Sequence, residues 1–495
     1  MTDRAREETR EDAIRPVPAL AGFLLFAFTL IVPSPAGFSG AAWPVLGLTA
    51  WMACWWALEA VPLAATALLP LLVVPILWSA FNLDDPAAVL GEYANASVFL
   101  ILGGLLLAIA MERCDLHKRV AYNIVVRLGD HPRQLILGVM IASAFISMWV
   151  SNTSTTLMML PVATSIAMLL VPHGGIDDRS IVNFRAALTL GVPYAATIGG
   201  LGTLIGTPTN ALVQGFAARN FGIDLSFVDW LVFGIPTVLI LLPTTWLILV
   251  RVALPFELPA IAGSREVVRG ALAALGPMSA AERRVATIAA LTALAWITRP
   301  LLNEIPGLAG ISDTVIAIAA GTILYLIPSG MRRGEALLDS ASMARVPWDV
   351  LLLFGGGLAL AAAIQVSTLS STLGQGLAVL GDWPLWALTL AIVAVLVFWT
   401  ELNSNVAAAA TFMPILAALA AATSHAPLSL IVPAAMAASA GFMMPVGTPG
   451  NAIAFASGQV TMRQMIRAGA LIDLAAIVVI ACVGYYTVPL IGSLR

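Results

Sequence analysis

From residue 18 almost to its end the chain is a succession of apolar runs, each long enough to cross a bilayer, with most of the charge held in the loops between them. A hydrocarbon core of about 30 Å takes roughly 20 apolar residues of helix, and every backbone polar group inside it needs a partner. The alternation that marks membrane barrels is missing, so an all-α polytopic membrane protein is expected. Composition agrees: with 60% apolar and 10% charged residues, a soluble fold of 495 residues would lack the polar surface to cover itself. The opening MTDRAREETREDAIRP mixes acids and arginines and has no small-residue cleavage site, which predicts a retained cytoplasmic tail over 1–17 and no signal peptide. Cys54, Cys114 and Cys482 are scattered singly and read as packing residues; His117, His131, His173 and His425 are not spaced to bind a metal. A net charge of −3 gives no reason to expect nucleic acid as a partner.

Lys and Arg near helix ends are retained in the cytoplasm. The basic loops are 113–133, 179–185, 251–284, 332–345 and 463–467; the loops 33–42, 81–96, 302–313 and 369–384 hold almost no basic residue. Threading from a cytoplasmic N-terminus places spans near 18–32, 43–57, 61–80, 97–112, 187–220, 230–250, 284–301, 312–328, 350–368, 429–460 and 469–491. These are about eleven transmembrane helices. Two stretches, 134–172 and 385–423, must enter and leave on one side to preserve the charge pattern. Each turns back at a run of small polar residues, SNTSTT at 151–156 and SNVAAA at 404–409, and each run begins ten residues before a proline, Pro161 or Pro414. Hydropathy allows either two full spans or a re-entrant hairpin in each case.

The order of parts occurs twice. LILGGLLLAIAM at 100–111 resembles LLFGGGLALAAA at 352–363, the polar tips follow about fifty residues later, and GTPTNA at 206–211 answers GTPGNA at 447–452. The first copy's leading helix runs inward and the second's outward, so the repeats are inverted, which with interrupted helices points to a secondary transporter. Gly and Pro break the helix and free backbone groups that lipid cannot satisfy, so the breaks must line a polar cavity. Freed carbonyls there suit a small cation, and helix N-termini suit an anion. No charged residue or histidine occurs in 134–170 or 186–218, so the first half offers neutral oxygens, which suit sodium, and no proton relay. Glu401 precedes the second tip and, as an intramembrane carboxylate, is a functional candidate, with an acceptor that holds the hairpin as the plainer reading; Glu59 reads as structural. Trp43, Trp51, Trp55, Trp56 and Trp230 are expected at the membrane interface.

ERCDLHKRVA at 112–121, SMWVSNTSTTLMMLP at 147–161, PYAATIGGLGTLIGTPTN at 193–210, TELNSNVAAAATFMPI at 400–415 and MMPVGTPGNAIAF at 443–455 resemble, in order, segments of the divalent-anion/sodium symporter family of di- and tricarboxylate and sulfate transporters. The resemblance implies a homodimer in which scaffold helices hold a transport domain that carries both re-entrant hairpins, with tips at mid-depth, and moves as an elevator. The corresponding segments are N-terminal scaffold helices at 18–96, a first repeat at 97–250 with hairpin 134–172 and broken helix 187–220, a connector at 251–283, scaffold helices and a connector at 284–349, and a second repeat at 350–495 with hairpin 385–423 and broken helix 429–460. It implies one sodium site at Ser147, Ser151, Asn152 and Gly206 and a second at Thr400, Asn403, Asn405 and Gly447. The anion would be reached by Ser151, Asn152, Thr153 and Thr207 and by Ser404, Asn405, Thr448 and Pro449. Val406 removes a hydroxyl from the second tip, Ala407 to Ala410 strip polarity from the arm beyond it, and Gly450 loosens the second break.

The resulting expectation is a sodium-coupled symporter of a small, succinate-like dicarboxylate in the cell's inner (cytoplasmic) membrane, with Na+ as coupling ion and no cofactor. Sodium-independent dicarboxylate exchange, sulfate or sulfonate symport, a channel, and a membrane enzyme or respiratory subunit stand as alternatives.

Overall fold

The computed structural model describes residues 15–493 except 36, 39, 82–84, 128–129, 170–177, 262, 331–333 and 424. Most of the N-terminal tail, His173 and the far end of the first hairpin therefore lie outside the described residues. All eleven expected spans are matched by helix. Among the described residues, seven helices are long and apolar enough to cross a membrane, the longest being Met462–Ile491. Shorter apolar helices supply the rest, including Pro16–Ile31, Ala42–Leu58 and Asp313–Leu326. Ala280–Ile297 covers the expected 284–301. The two interrupted spans are pairs: Asp178–Gly200 with Pro208–Phe221, and Leu428–Ala438 with Pro449–Ala456. Both hairpins form as two helical arms, Pro132–Ser147 with Asn152–Met168 and Leu385–Thr400 with Asn405–Ala422.

Contacts divide the chain into two compact units. One holds residues 1–98, 211–225 and 347–438. In it the leading helix Trp348–Val366 packs on the hairpin arm Asn405–Ala422. Ala407 to Ala410 are at most 2% exposed, so the run of alanines is a close-packed face as well as a loss of polarity. Helix Pro16–Ile31 lies on Ala42–Leu58, where the Trp55 indole N–H donates to the Ala19 carbonyl at 2.9 Å. Glu59 ends the second of these helices in a left-handed conformation, φ 45°.

The other unit holds residues 99–210, 226–346 and 439–495. Helix Phe227–Leu247 starts at a reciprocal cap in which Ser226 Oγ accepts from the Asp229 N–H at 3.0 Å and Asp229 Oδ2 accepts from the Ser226 N–H at 2.9 Å. Ser279 and Glu282 cap Ala280–Ile297 in the same way, and Glu282 also takes Arg119 at 2.6 Å. Such boxes satisfy amide donors that a helix start otherwise leaves free.

Ion pairs sort by the side on which the charge pattern threads their loops. Arg113 meets Glu335 and Asp339, each at 2.7 Å; Arg345 meets Glu112 at 3.0 Å; Arg265 meets Asp130 at 2.8 Å. Arg467 donates to the Val252 carbonyl at 3.4 Å. These join the basic loops to one another or, through Glu112, to the residue just before one of them. On the opposite face Arg299 pairs with Asp313 at 3.3 Å, and in the first unit Arg219 pairs with Glu92 at 3.1 Å.

The tryptophans depart from expectation. Trp51, Trp56 and Trp230 are 6%, 0% and 0% exposed, which places them inside the packing rather than in an interfacial belt. The physical reason is visible for two of them: Trp56 donates to the Leu63 carbonyl at 3.3 Å and Trp230 to the Leu201 carbonyl at 2.9 Å. A large ring with one donor can be buried where its N–H finds an acceptor.

Candidate ion and substrate site

At the first tip, Ser147 ends one arm and Asn152 begins the next, and the Ser147 hydroxyl donates to Asn152 Oδ1 at 2.6 Å. At the second tip the Thr400 hydroxyl lies 2.7 Å from Asn405 Oδ1, at the same five-residue spacing, and 2.7 Å from the Ala438 carbonyl. Ser147 and Thr400 are both fully buried. A hydroxyl holding a carboxamide oxygen is thus built into both tips. Pro161 and Pro414 fall inside the second arms, where each removes a backbone donor.

The first break covers 201–207. A Cβ on Gly200 would stand 2.7 Å from Asn152 Oδ1 and 3.1 Å from the Gly206 carbonyl oxygen. Only glycine leaves that space, and two oxygens converge on it. Of the residues expected for the first cation site, Asn152 and Gly206 therefore meet here, with Ser147 behind Asn152. Ser151 is exposed, and its Oγ caps the arm by accepting from the Ser154 N–H at 3.1 Å. Gly200 lies beside Asn152 and Gly206, a proximity that no spacing argument supplies.

Asn210 spans the break. Its Nδ2 donates to the Gly200 carbonyl at 2.9 Å and the Thr203 carbonyl at 2.8 Å. The Thr203 hydroxyl in turn donates to the Met148 carbonyl in the first tip. In the second break Asn451 Nδ2 donates to the Gly441 and Met444 carbonyls at 3.2 and 3.1 Å, at the same offsets of ten and seven residues. Gly447 closes a single tight turn with Pro445 there. Thr448 caps the following helix, accepting from the Asn451 N–H at 3.1 Å. The two breaks touch: the Thr207 hydroxyl lies 3.4 Å from Ser439 Oγ, and the Thr209 hydroxyl is bonded to the same oxygen.

The residues expected to reach the anion share one local feature. Ser151, Thr207, Ser404 and Thr448 precede helix starts, and Asn152, Thr153, Asn405 and Pro449 fill first-turn positions. First-turn amides and the helix dipole at each of these starts by itself suit an anionic group without any cationic side chain. Ser404 makes no capping bond through its side chain, unlike Ser151. Asn403 and Glu401 are buried, at 7% and 1% exposure. Val406 is 9% exposed.

Several residues were missed by sequence reasoning. Ser439 has no signal beyond being small and polar. Asn210 and Asn451 stand inside the quoted motifs, and spacing alone assigns them no role. Asp473 had a clear signal, a carboxylate in an apolar span, and the structure buries it completely with Oδ1 accepting from the Phe442 N–H of the second break at 3.1 Å.

A helical membrane protein with two tip-and-break constellations of this kind is built as a secondary transporter. Over residues 16–493 the chain matches the family model described as the sodium:sulfate symporter transmembrane region. It is 40% identical over 477 residues to the sodium-dependent dicarboxylate transporter SdcS of Staphylococcus saprophyticus, covering 96% of this chain and 91% of that protein. The SdcS of Staphylococcus aureus strain USA300 is 40% identical over 476 residues, with 95% and 91% covered. Among solved structures, the YdaH transporter of Alcanivorax borkumensis is similar in fold, with a TM-score of 0.58 at 15% identity over 81% of this chain and 88% of that one. The chain belongs to the divalent-anion/sodium symporter family. It is a multi-pass membrane protein.

Proposed function

We propose that this protein imports a small dicarboxylate, a succinate-like C4 dianion, together with sodium across the cytoplasmic membrane, with its N-terminus in the cytoplasm. The observation that carries the reading is the pair of matched tips, each a buried hydroxyl on an asparagine oxygen beside a helix start. Its relatives' names, sodium-dependent dicarboxylate transporter, point the same way. One sodium ion binds at Ser147, Asn152 and Gly206 with Ser151 at the rim, and a second at Thr400, Asn403, Asn405 and Gly447. The dianion lies against Ser151, Asn152, Thr153, Thr207, Ser404, Asn405, Thr448 and Pro449.

Sodium binds first. Neutral donors alone hold a dianion weakly, whereas a cation about 4 Å from a carboxylate contributes roughly 4 kcal/mol at an effective dielectric constant of about 20. The protein works as a homodimer whose scaffold helices, 18–96 and 284–349, hold the dimer while the hairpins and broken helices move across the membrane as an elevator.

The test is a thermal-shift panel on purified protein with succinate, citrate and sulfate, each in sodium and in choline. Succinate is expected to raise Tm in sodium only; ligand at one hundred times Kd stabilises by about 2.7 kcal/mol. An equal shift in choline would favour sodium-independent exchange, and a shift by sulfate alone would overturn the substrate.

A further inference from the structure

Asn210 and Asn451 are fully buried, and their amide groups are committed in the same way. Each Nδ2 faces two backbone carbonyl oxygens, ten and seven residues earlier. Two acceptors on one side fix which way the carboxamide points, since turning it over would set oxygen against oxygen. Each Oδ1 is therefore directed away from those carbonyls, and among the described residues it accepts no hydrogen bond in either case. A buried carboxamide oxygen left so costs about 1–3 kcal/mol unless something else fills the role of donor. One orphan acceptor is unremarkable in a protein of this size. The same atom of the same residue, orphaned in both copies of a repeat behind the same pair of donated bonds, is a built feature.

Its surroundings select the partner. Asn210 grips the carbonyl of Gly200, the residue beside which Asn152 Oδ1 and the Gly206 carbonyl oxygen converge. Two carbonyl-type oxygens gathered beside Gly200, with Asn152 Nδ2 farther off at 3.3 Å, suit a dehydrated monovalent cation. We infer that Asn210 and Asn451 are a matched pair of cation-site residues: each clamps its helix break through Nδ2 and offers Oδ1 as a further oxygen ligand to the sodium ion held at that break. The inference rests on the sodium-coupled reading above and adds two ligands to it. It explains why an asparagine, with a donor and an acceptor on one rigid plane, closes both GTPTN and GTPGN.

The experiment is a sodium titration of Tm at constant ionic strength, balanced with choline and without dicarboxylate, on purified wild type, Asn210→Ala and Asn451→Ala, repeated with lithium. Each variant is expected to raise the sodium midpoint roughly 10–100-fold, the range for loss of a group supporting a metal site. Each should also change the ratio of sodium to lithium midpoints, because the cage loses an oxygen. A variant with lower Tm in choline but wild-type sodium midpoint and lithium ratio would show a clamp only and overturn the ligand assignment. Should either alanine variant fail to fold, Asn210→Ser or Asn451→Ser, which keep a small polar group, is read by the same criteria. Wild type that fails to respond to sodium would instead sink the coupling itself, an outcome distinct from variants that respond as wild type does.

Discussion

At Gly450 the start of helix Pro449–Ala456 passes so close to the first hairpin that a Cβ would stand 2.9 Å from Thr156 Oγ1 and 3.2 Å from Pro193 Cβ. The sequence suggested that this glycine loosens the second break; the structure gives it a steric reason instead. The Thr156 hydroxyl is itself held by a 2.8 Å bond to the Asn152 carbonyl, so it has little freedom to yield. Gly450→Ala should therefore cost about 1–3 kcal/mol through overpacking, read as a fall in Tm. Thr156→Ala on the same chain should recover part of that loss, since residues in contact do not act additively. Simple addition of the two single effects would show that this contact is not where the strain falls. Val406 and the alanines after it carry a similar lesson: absence of polarity is visible in sequence, while the packed face that requires small residues is not.

Among the elements, the end of the leading helix Ala96–Arg113 is fastened by several charged partners. Arg113 reaches Glu335, Asp339 and the Ser342 hydroxyl, and Glu112 takes Arg345. The Arg113 guanidinium, with Ser342, holds the Asp339 carboxyl well below its ordinary 3.8, at about 2. A depressed carboxylate contributes stability that is complete above its unfolded value and is lost only as pH falls through the folded one. The Tm difference between wild type and Asp339→Asn should thus stay flat from about pH 7.5 to about pH 4.5, and shrink in salt because the pair is partly exposed. A difference that collapses near neutrality would mean that some other group titrates. Elements of this kind were legible as helices from their apolar runs. The partners of their charged ends were not, because Arg113 and Asp339 are brought together by tertiary packing across more than two hundred residues.

For the whole molecule, the ion pairs make the threading testable. Loops that share pairs must share a side of the membrane, so a cysteine at exposed Arg269 and one at exposed Ala309 should be labelled from opposite sides. The check uses chains in which Cys54, Cys114 and Cys482 are replaced, reconstituted in vesicles, with a charged maleimide added outside or inside. Labelling of both positions from one side would break the eleven-span threading and the inversion of the repeats with it.

Sequence alone determined the helical membrane class, the spans, the two hairpins, the two breaks and the duplicated order of parts. Those follow from local physics: bilayer thickness sets segment length, lipid forbids unpaired backbone, and proline and glycine end helices wherever they stand. Tertiary structure decided what faces what. Gly200 beside Asn152, Thr207 and Thr209 on Ser439, Asp473 under Phe442 and the free oxygens of Asn210 and Asn451 all depend on chain segments meeting. A side chain's unmet hydrogen-bonding capacity is a property of its surroundings, and no residue letter records those.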